Sequence, residues 1–352
     1  MKFLIIDEAN YLSTLVGCIK DEGFDATLIT STKEYVKGAD VVLANTLKPI
    51  YRPKHIFIGL TESIFTVLID RDYMLKVLKA MEINIPSIYI AKEGEVSTDI
   101  IEDKKYAIET IAFPSYFNIG MEDALAVLKF SNGNKLTTLV REVPYKFELE
   151  IEGWFNGAEI MIPSYIIFDD CILHPLSRSS NLYKETLKKL EKALKKMDYK
   201  GPISLTLGVD DKNVYSIQIN CIFRPMVFEA MKKIGDNLRA VITGAKNMLN
   251  MYDGWTEQLP LVNPLCFGSY NFPLLGYRQA NKKHIWIEFV EKNGEYFYNT
   301  NGYITARGQT PRECSRRLVR TRQNLVIPFS INCPTAKRVN ERYKLLKEWG
   351  WI

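Results

Sequence analysis

Short apolar runs alternate with polar and helical segments from the first residues of the chain. KFLIID (2–7) reads as a buried strand, YLSTLVGCIKDEG as a helix, and DATLIT, DVVLANT and HIFIGL as further short strands, which predicts an α/β unit of roughly 60 residues. In DRDYMLKVLKAMEINIPSIYIA (70–91), Met74, Leu75, Leu78 and Met81 follow helical spacing and Pro86 opens an extended run. Strand-rich sequence runs from Lys105 to Leu173, interrupted by MEDALAVLKF (121–130), a predicted helix whose Leu125 and Leu128 face inward. YKETLKKLEKALKKM (183–197) predicts one amphipathic helix with Leu187, Leu190, Leu194 and Met197 on its buried stripe and a solvated lysine face. MVFEAMKKIGDNLRAVITGAKNM reads as helices, and NPLCFGSYNFPL (263–274) opens a third region of strands that ends in an arginine-rich helix. The chain has no repeats and no low-complexity linkers.

Between the helical segments, ISLTLGV (203–209) and VYSIQINCIF (214–223) flank the loop DDKN, the pattern of a hairpin. Strict alternation puts Tyr215, Ile217, Ile219, Cys221 and Phe223 on a core face and Ser216, Gln218 and Asn220 on a polar one, joined there by Ser204 and Thr206. The polar wall resembles a place for a metal ion, yet this strand carries no carboxylate.

Composition narrows the class. At 352 residues the chain has room for roughly two to three domains, and 47% hydrophobic with 25% charged residues fits a globular protein with a substantial core. The start, MKFLIIDEANYLS, has neither a basic leader nor a long apolar stretch, and no run approaches the ~18 apolar residues of a membrane span. The expectation is a cytoplasmic protein without a membrane partner. Six cysteines (18, 171, 221, 266, 314, 333) without a CxxC pair read as reduced thiols, and His55, His174 and His284 form no ligand motif. The net charge of +5 is uneven: six arginines and one acid, Glu313, lie between Arg307 and Arg322. If TPRECSRRLVRTRQ (310–323) is a helix begun by Thr310 and Pro311, then Arg312, Arg316 and Arg320 line one face at spacing four. That face reads either as a solvated surface or as a contact for nucleic-acid phosphates.

The stretch VREVPYKFELEIEGWFNGAEIMIPSYIIFDDCILHP, the helix at 183–197 and YKGPISLTLGVDDKNVYSIQINCIF, in that order and spacing, resemble the nucleotide-binding half of ATP-grasp ligases. Within that superfamily the chain is most similar to phosphoribosylamine–glycine ligases: residues 70–91 resemble their linking helix, and EYFYNTNGYITARGQTPRECSRRLVRTRQNLV resembles their C-terminal domain. The resemblance implies an α/β ATP-grasp fold with a Rossmann-like N-terminal domain at 1–68, an ATP-grasp domain at 69–255 with a lid at about 87–140, and a small β-rich C-terminal domain at 256–352. It also implies ATP and magnesium as cofactors and a nucleotide or amino-acid ligand. In the implied reaction a carboxylate is phosphorylated to an acyl phosphate and an amine attacks it. Bacteriophage pathways that attach amino acids to nucleotides or DNA bases are one setting for such ligases, in which case the location is the host cytoplasm.

Carried onto this sequence, the family's metal strand Glu-x-Asn-x-Arg-Phe-Gly places Gln218 and Asn220 as the metal pair and Ile222 at the arginine, with Arg224, two residues on and on the same strand face, as the substitute catalytic cation. Glu142 and Val143 fall near the implied adenine and Glu148 at the ribose hydroxyls; the same residues also read as a solvated strand edge. Other positions depart from the family. YAIETIAFPSYFNIG (106–120) lacks the phosphate lysine and has no glycine before Gly120, SRSSN (177–181) replaces a second glycine-rich loop, and DEANYLS (7–13) is acidic where a phosphoribosyl group would be received. Two expectations stay open. Either the strand belongs to a protein that no longer performs ATP chemistry and serves as an accessory, for example to an active ligase partner, or it serves an altered ligase rebuilt around Arg224 and the amides.

Overall fold

The computed structural model describes residues 1–8, 11–30, 38–46, 48–50, 56–91, 104–110, 116–119, 122–123, 126, 138–246, 249–261, 272–276, 279–287, 289–293, 295–298, 302–325 and 336–352. Strands β1 (Lys2–Asp7), β2 (Asp25–Ile29), β3 (Val41–Asn45) and β4 (Ile56–Gly59) form a parallel sheet in the order β2-β1-β3-β4, with helix α1 (Ser13–Asp21) crossing from β1 to β2. The alternation expected for the first part of the chain is present. Helix α2 (Glu62–Ile69) was not expected, because its run of β-branched residues carries no clear helical period. It forms because Thr61 Oγ1 caps the amide of Ile64 and because Ile64 and Val67 bury against the core. Asp70 then caps α3 (Arg71–Ala80), which buries Met74 and Leu78 as their spacing predicts.

A four-stranded antiparallel sheet follows, built from β5 (Ile88–Ala91), β6 (Tyr106–Thr110), β7 (Tyr116–Ile119) and β8 (Thr138–Glu142) in the order β5-β8-β6-β7. Of the helix expected at 121–130, residues 122, 123 and 126 are helical, and Leu125 and Leu128 lie outside the described residues. The body of the molecule is an eight-stranded sheet of β9 (Phe147–Phe155), β10 (Ile160–Phe168), β11 (Ile172–Leu176), β12 (Gly201–Val209), β13 (Val214–Asn220) and β14 (Trp255–Leu261), joined by two strands from further along the chain. A short three-stranded sheet, order β15-β18-β17, contains β15 (Phe272–Pro273), β17 (Phe289–Lys292) and β18 (Glu295–Tyr298). The two strands that join the large sheet are β16 (Ile285–Trp286) and β19 (Gly302–Gly308), giving the order β13-β12-β9-β10-β11-β14-β19-β16. The third region of strands therefore extends the central sheet, through Ile172 opposite Glu257 and Leu173 opposite Thr256.

The helix expected at 183–197 is two helices, α4 (Asn181–Glu185) and α5 (Leu187–Lys196). The break is at Thr186, whose backbone leaves the helical region (φ −129°, ψ −93°) and whose hydroxyl bonds back to the Leu182 carbonyl. The buried stripe survives, since Leu187, Leu190 and Leu194 all lie in the core. α6 (Pro225–Ala230) and α7 (Ile234–Thr243) follow the hairpin. The arginine helix is α8 (Pro311–Asn324), capped by Thr310 with Pro311 in its first turn, as its sequence signals require. A last helix, α9 (Ala336–Glu348), was missed by pattern reading. It packs Val339 and Leu346 into the core, and the tail beyond it stacks Trp349 on Phe147 and donates the Trp351 indole N–H to the Asp210 carbonyl.

Both faces of the central sheet are covered. Leu149, Ile151, Leu205 and Leu207 pack with residues of α2, α3, α5 and α9 on one side, while Trp154, Tyr165, Ile167 and Leu173 pack with Phe223, Met226, Phe228 and the Phe3 and Ile5 side chains of β1 on the other. The described cysteines 18, 171, 221 and 314 are free thiols; Cys266, Cys333 and His55 lie outside the described residues. Among the described residues no helix is long and apolar enough to cross a membrane.

Besides the shared core, and bonds such as Tyr11 Oη to the Phe223 carbonyl at 2.9 Å and the Gly59 amide to the Lys200 carbonyl at 3.0 Å, a carboxylate fastens the N-terminal sheet to the rest. Glu22, just past α1, accepts the free amides at the start of α7: Ile234 N at 2.6 Å, Gly235 N at 2.8 Å and Asp236 N at 3.3 Å. Glu22→Ala should lower stability by about 2 kcal/mol, the upper range for a lost cap, read as a shifted urea midpoint with an unchanged slope.

Candidate functional site

The hairpin forms as expected, with Asp210 Oδ1 accepting the Lys212 and Asn213 amides, both at 2.7 Å, across the turn. Its alternation does not hold throughout. Thr206 lies opposite Gln218 but Leu207 lies opposite Ser216, so Ile217 is an extra residue and β13 is bulged there. Ser216 consequently turns to the Leu207 face and is fully buried, while Tyr215, expected in the core, moves to the polar face opposite Gly208 and is half-buried. Paired residues share a face, so the polar face reads in rows: Asn220, Ser204 and Glu152; then Gln218, Thr206 and Glu150; then Tyr215, Gly208 and Glu148.

The carboxylates absent from β13 are two strands away, on β9. FELEIE places Glu148, Glu150 and Glu152 at period two on this face; only Glu148 was singled out from the sequence, although the alternation itself was visible. They do not form an open metal site. Arg224 is not on the strand, which ends at Asn220, but at the start of α6, and its side chain folds back beneath the sheet. Its Nη1 donates to Glu152 Oε2 at 2.7 Å and to Ser204 Oγ at 3.3 Å, Nη2 donates to Glu150 Oε2, and Nε donates to Asp170 Oδ1 at 3.2 Å. The guanidinium is 5% exposed, and Glu152 is buried completely. Burial raises the Glu152 carboxyl to about 7 against the pull of Arg224, and burial likewise raises Glu150. Burial opposes the Arg224 charge too, but Glu152, Glu150 and Asp170 outweigh it and hold the cation protonated.

The expected metal pair is engaged with itself. Gln218 Nε2 donates to Asn220 Oδ1 at 2.9 Å, and the Asn220 amide turns toward Glu150 Oε1 at 3.4 Å, which also accepts Thr206 Oγ1 at 3.1 Å. The residues at the expected nucleotide positions are likewise committed. Glu148 Oε1 accepts Tyr145 Oη at 2.6 Å and Arg141 Nη1 at 3.1 Å, Glu142 pairs with Lys104 at 2.6 Å, and the Val143 amide donates to the Lys105 carbonyl at 2.8 Å. A cavity of about 210 Å3 lies beside Lys104, Lys105, Glu142, Val143 and Pro144. The Tyr145 ring covers Gly208 so closely that a Cβ there would lie 2.3 Å from it. Of the expected phosphate loop, residues 111–115 and Gly120 lie outside the described residues.

At the end of the N-terminal sheet, the amides that lead into α1 are also filled. Asp7 Oδ2 accepts Tyr11 N at 2.8 Å and Leu12 N at 2.6 Å, and Oδ1 accepts the Asn45 amide at 2.8 Å. The chain's own carboxylate sits where an anion would otherwise be received. Between this sheet end and β13 a cavity of about 400 Å3 is lined by Tyr11, Asn45, Thr46, Leu60, Phe65, Leu68, Gln218 and Asn220 among others, with Glu8 the one charged residue among the described lining.

Magnesium prefers six oxygens in open octahedral geometry and needs carboxylates. Here the amides bond to each other and the three carboxylates bond to a guanidinium, so the residues as placed do not fit a magnesium–nucleotide complex. Among the described residues no group of three or more acidic, cysteine or histidine side chains is arranged to hold a metal. The arginines of α8 stand apart from this site: Arg312, Arg316 and Arg320 are exposed, as their spacing implies, and Arg320 lines a separate basic cavity with Arg307 and Arg317.

No protein-family model matches the chain, and no curated protein sequence matches it. Solved structures do. The phosphoribosylamine–glycine ligase of Thermotoga maritima superposes with a TM-score of 0.66 at 12% identity, over 93% of this chain and 97% of that one. The N5-carboxyaminoimidazole ribonucleotide synthetase of the same organism gives 0.59 at 15% identity over 92% and 99%, and the L-amino acid ligase of Bacillus licheniformis 0.55 at 9% over 94% and 99%. The chain has the fold of the ATP-grasp ligases.

Removing Arg224 leaves three carboxylates without their cation, two of them well buried. Arg224→Met should cost about 3–5 kcal/mol, the range for breaking a buried ion pair from one side, and Glu152→Gln in the same background should recover part of the loss, as measured by urea denaturation. Gly208→Ala should cost about 1–3 kcal/mol through overpacking against Tyr145. In a Tyr145→Ala background Gly208→Ala should be nearly silent, a coupling read from a double-mutant cycle.

Proposed function

We propose that this protein is a non-catalytic relative of the carboxylate–amine ligases that keeps their fold and a small-molecule cleft but not their metal-dependent phosphoryl transfer. The observation that carries the reading is the Arg224 guanidinium bonded to Glu150, Glu152 and Asp170 at once. Acyl-phosphate chemistry requires positive charge aimed at phosphate oxygens and metal ligands open to a cation. This cation is spent on internal carboxylates, and those carboxylates are spent on it. The closed Asp7 cradle supports the same reading on the acceptor side, since a phosphoribosyl group would have to displace a buried carboxylate from the α1 amides.

The cleft between Tyr11, Asn45, Leu60, Phe65 and Asn220 suits a small molecule with an apolar body and an amino group, because among the described lining residues Glu8 carries the one charge and the others are apolar, amide or hydroxyl groups. The accessory role in a nucleotide or DNA-base modification pathway belongs to the same proposal, with an active ligase as the partner that performs the chemistry.

Isothermal calorimetry with ATP, with and without magnesium, combined with an assay for ADP release in the presence of amino acids, tests the reading. The expected result is weak ATP binding that magnesium barely changes and no ADP formed. Gln218→Glu should make ATP binding more dependent on magnesium by adding a charged oxygen beside Asn220. Tight magnesium-coupled binding by the unaltered protein with ADP produced on turnover would overturn the proposal and establish a working ligase.

A further inference from the structure

We propose that a second ligand site, separate from the central cleft and independent of how that cleft is read, lies under the arginine helix and binds a phosphate monoester. A cavity of about 400 Å3 opens between α6, β19, α8 and the turn of 3-10 helix at Gln279–His284. Lys283, Arg307, Arg317 and Arg320 line it together with His284, and the acid among its lining residues is Glu229.

Glu229 organises the cavity and offsets only part of its positive charge. It is 3% exposed on α6 and accepts Arg307 Nε at 2.8 Å, Thr305 Oγ1 at 2.8 Å and His284 Nδ1 at 3.0 Å. Burial opposes its charge, but His284, Arg307 and Thr305 together hold its carboxyl below the usual range, so it stays ionised. The effect is to fix Arg307 and His284 in one orientation at the cavity wall. Arg317 is fixed in turn by Glu313 at 2.6 Å and by the Arg307 carbonyl at 2.8 Å. Arg320 and Lys283 have no ion-pair partner among the described residues. After Glu229 and Glu313 are counted against the four permanent cations, the cavity keeps an excess of two positive charges.

Like charges brought together in a concavity repel, and a bound dianion offsets that repulsion. Planar guanidinium forks match phosphate oxygens better than they match a single carboxylate contact, and the lysine adds a point charge beside them. The volume suits a phosphorylated small molecule. The shape favours an ester entering end-on over an extended polyanion, because Arg312 and Arg316, exposed on the same helix, are not among the residues that line the cavity.

Calorimetric titration of the full chain at low salt with ribose 5-phosphate, inorganic phosphate and sulfate tests this, with a short single-stranded oligonucleotide as the competing probe. Ribose 5-phosphate is expected to bind saturably at one site and more tightly than either inorganic ion. Arg320→Gln and Lys283→Gln should each weaken it about tenfold, the loss of one charge-assisted contact, while Arg312→Gln should leave it unchanged. Arg320 and Lys283 are exposed, so circular dichroism should show all three variants folded. Absence of saturable ester binding by the folded protein, or sulfate binding as tightly as the ester, would overturn the proposal. So would tighter binding of the oligonucleotide with Arg312→Gln weakening it as much as Arg320→Gln, which would make the helix an extended phosphate-backbone surface instead.

Discussion

The clamp around Arg224 is the constraint on which the arrangement of the molecule depends. One guanidinium gathers Glu150 and Glu152 from β9, Ser204 from β12 and Asp170 from the β10–β11 turn, and it does so from the residue that immediately precedes α6. Two carboxylates largely buried side by side under a sheet, Glu150 and Glu152, are costly without such a partner, and Asp170 adds a third contact from the exposed turn. Because the side chain is held from above, the helix behind it is placed as well. Phe223 and Phe228 come to 5.6 Å and 5.7 Å from the Trp154 ring, and Glu229, on the same helix, is carried into the basic cavity beneath β19. The central clamp and the second cavity are therefore positioned by the same short stretch, Phe223–Glu229.

The same logic appears at the other end of the cleft with its sign reversed. Backbone amides entering a helix attract negative charge, and here Asp7 satisfies them from within. The two positions where a ligand's charges would be met are each occupied by a side chain of opposite charge to the group that receives it: a carboxylate on the amides, a guanidinium among the carboxylates. Internal charges of this kind cost desolvation once, on folding, and then remain in place, whereas a ligand would have to displace them. What is left between the two is a space whose described lining is apolar, amide and hydroxyl apart from Glu8.

The order of elements was largely legible because strands and helices of this chain bury whole faces, and burial leaves a period in the sequence. Leu187, Leu190 and Leu194 announced their helix, although Thr186 splits the segment by bonding back to Leu182, an effect with no hydrophobic signature. α2 and α9 were missed for opposite reasons. The first is too uniformly apolar to show a period, and the second is held largely by Arg338, Arg342 and two buried apolar residues that sit far apart on a polar helix. The site was less legible than the fold. Alternation in FELEIE exposed three carboxylates, but nothing in β13 alone reveals the bulge at Ile217, and nothing in the spacing of Arg224 reveals that it leaves the strand and returns to a neighbour two strands away. Register and side-chain return are tertiary facts; a single strand read at period two cannot contain them.

The turn between β10 and β11 shows how far the clamp reaches. Asp169 and Asp170 both adopt left-handed backbone, at φ 49° and φ 57°, where glycine would relieve a strain of roughly 1–2 kcal/mol per residue. Glycine could not do what these residues do. Asp170, itself exposed, adds a contact to Arg224 from the rim of the sheet, while Asp169 is the more covered of the two and accepts Arg338 at 2.7 Å and Arg342 at 2.9 Å from α9. A three-residue turn thus joins the buried cation to the C-terminal helix. The helix in turn leads to Trp349 and Trp351, which pack on Phe147 and bond to Asp210 at the tip of the β12–β13 hairpin. The strain at the turn is retained because both ends of the polar face, the clamp and the hairpin tip, are fixed through it.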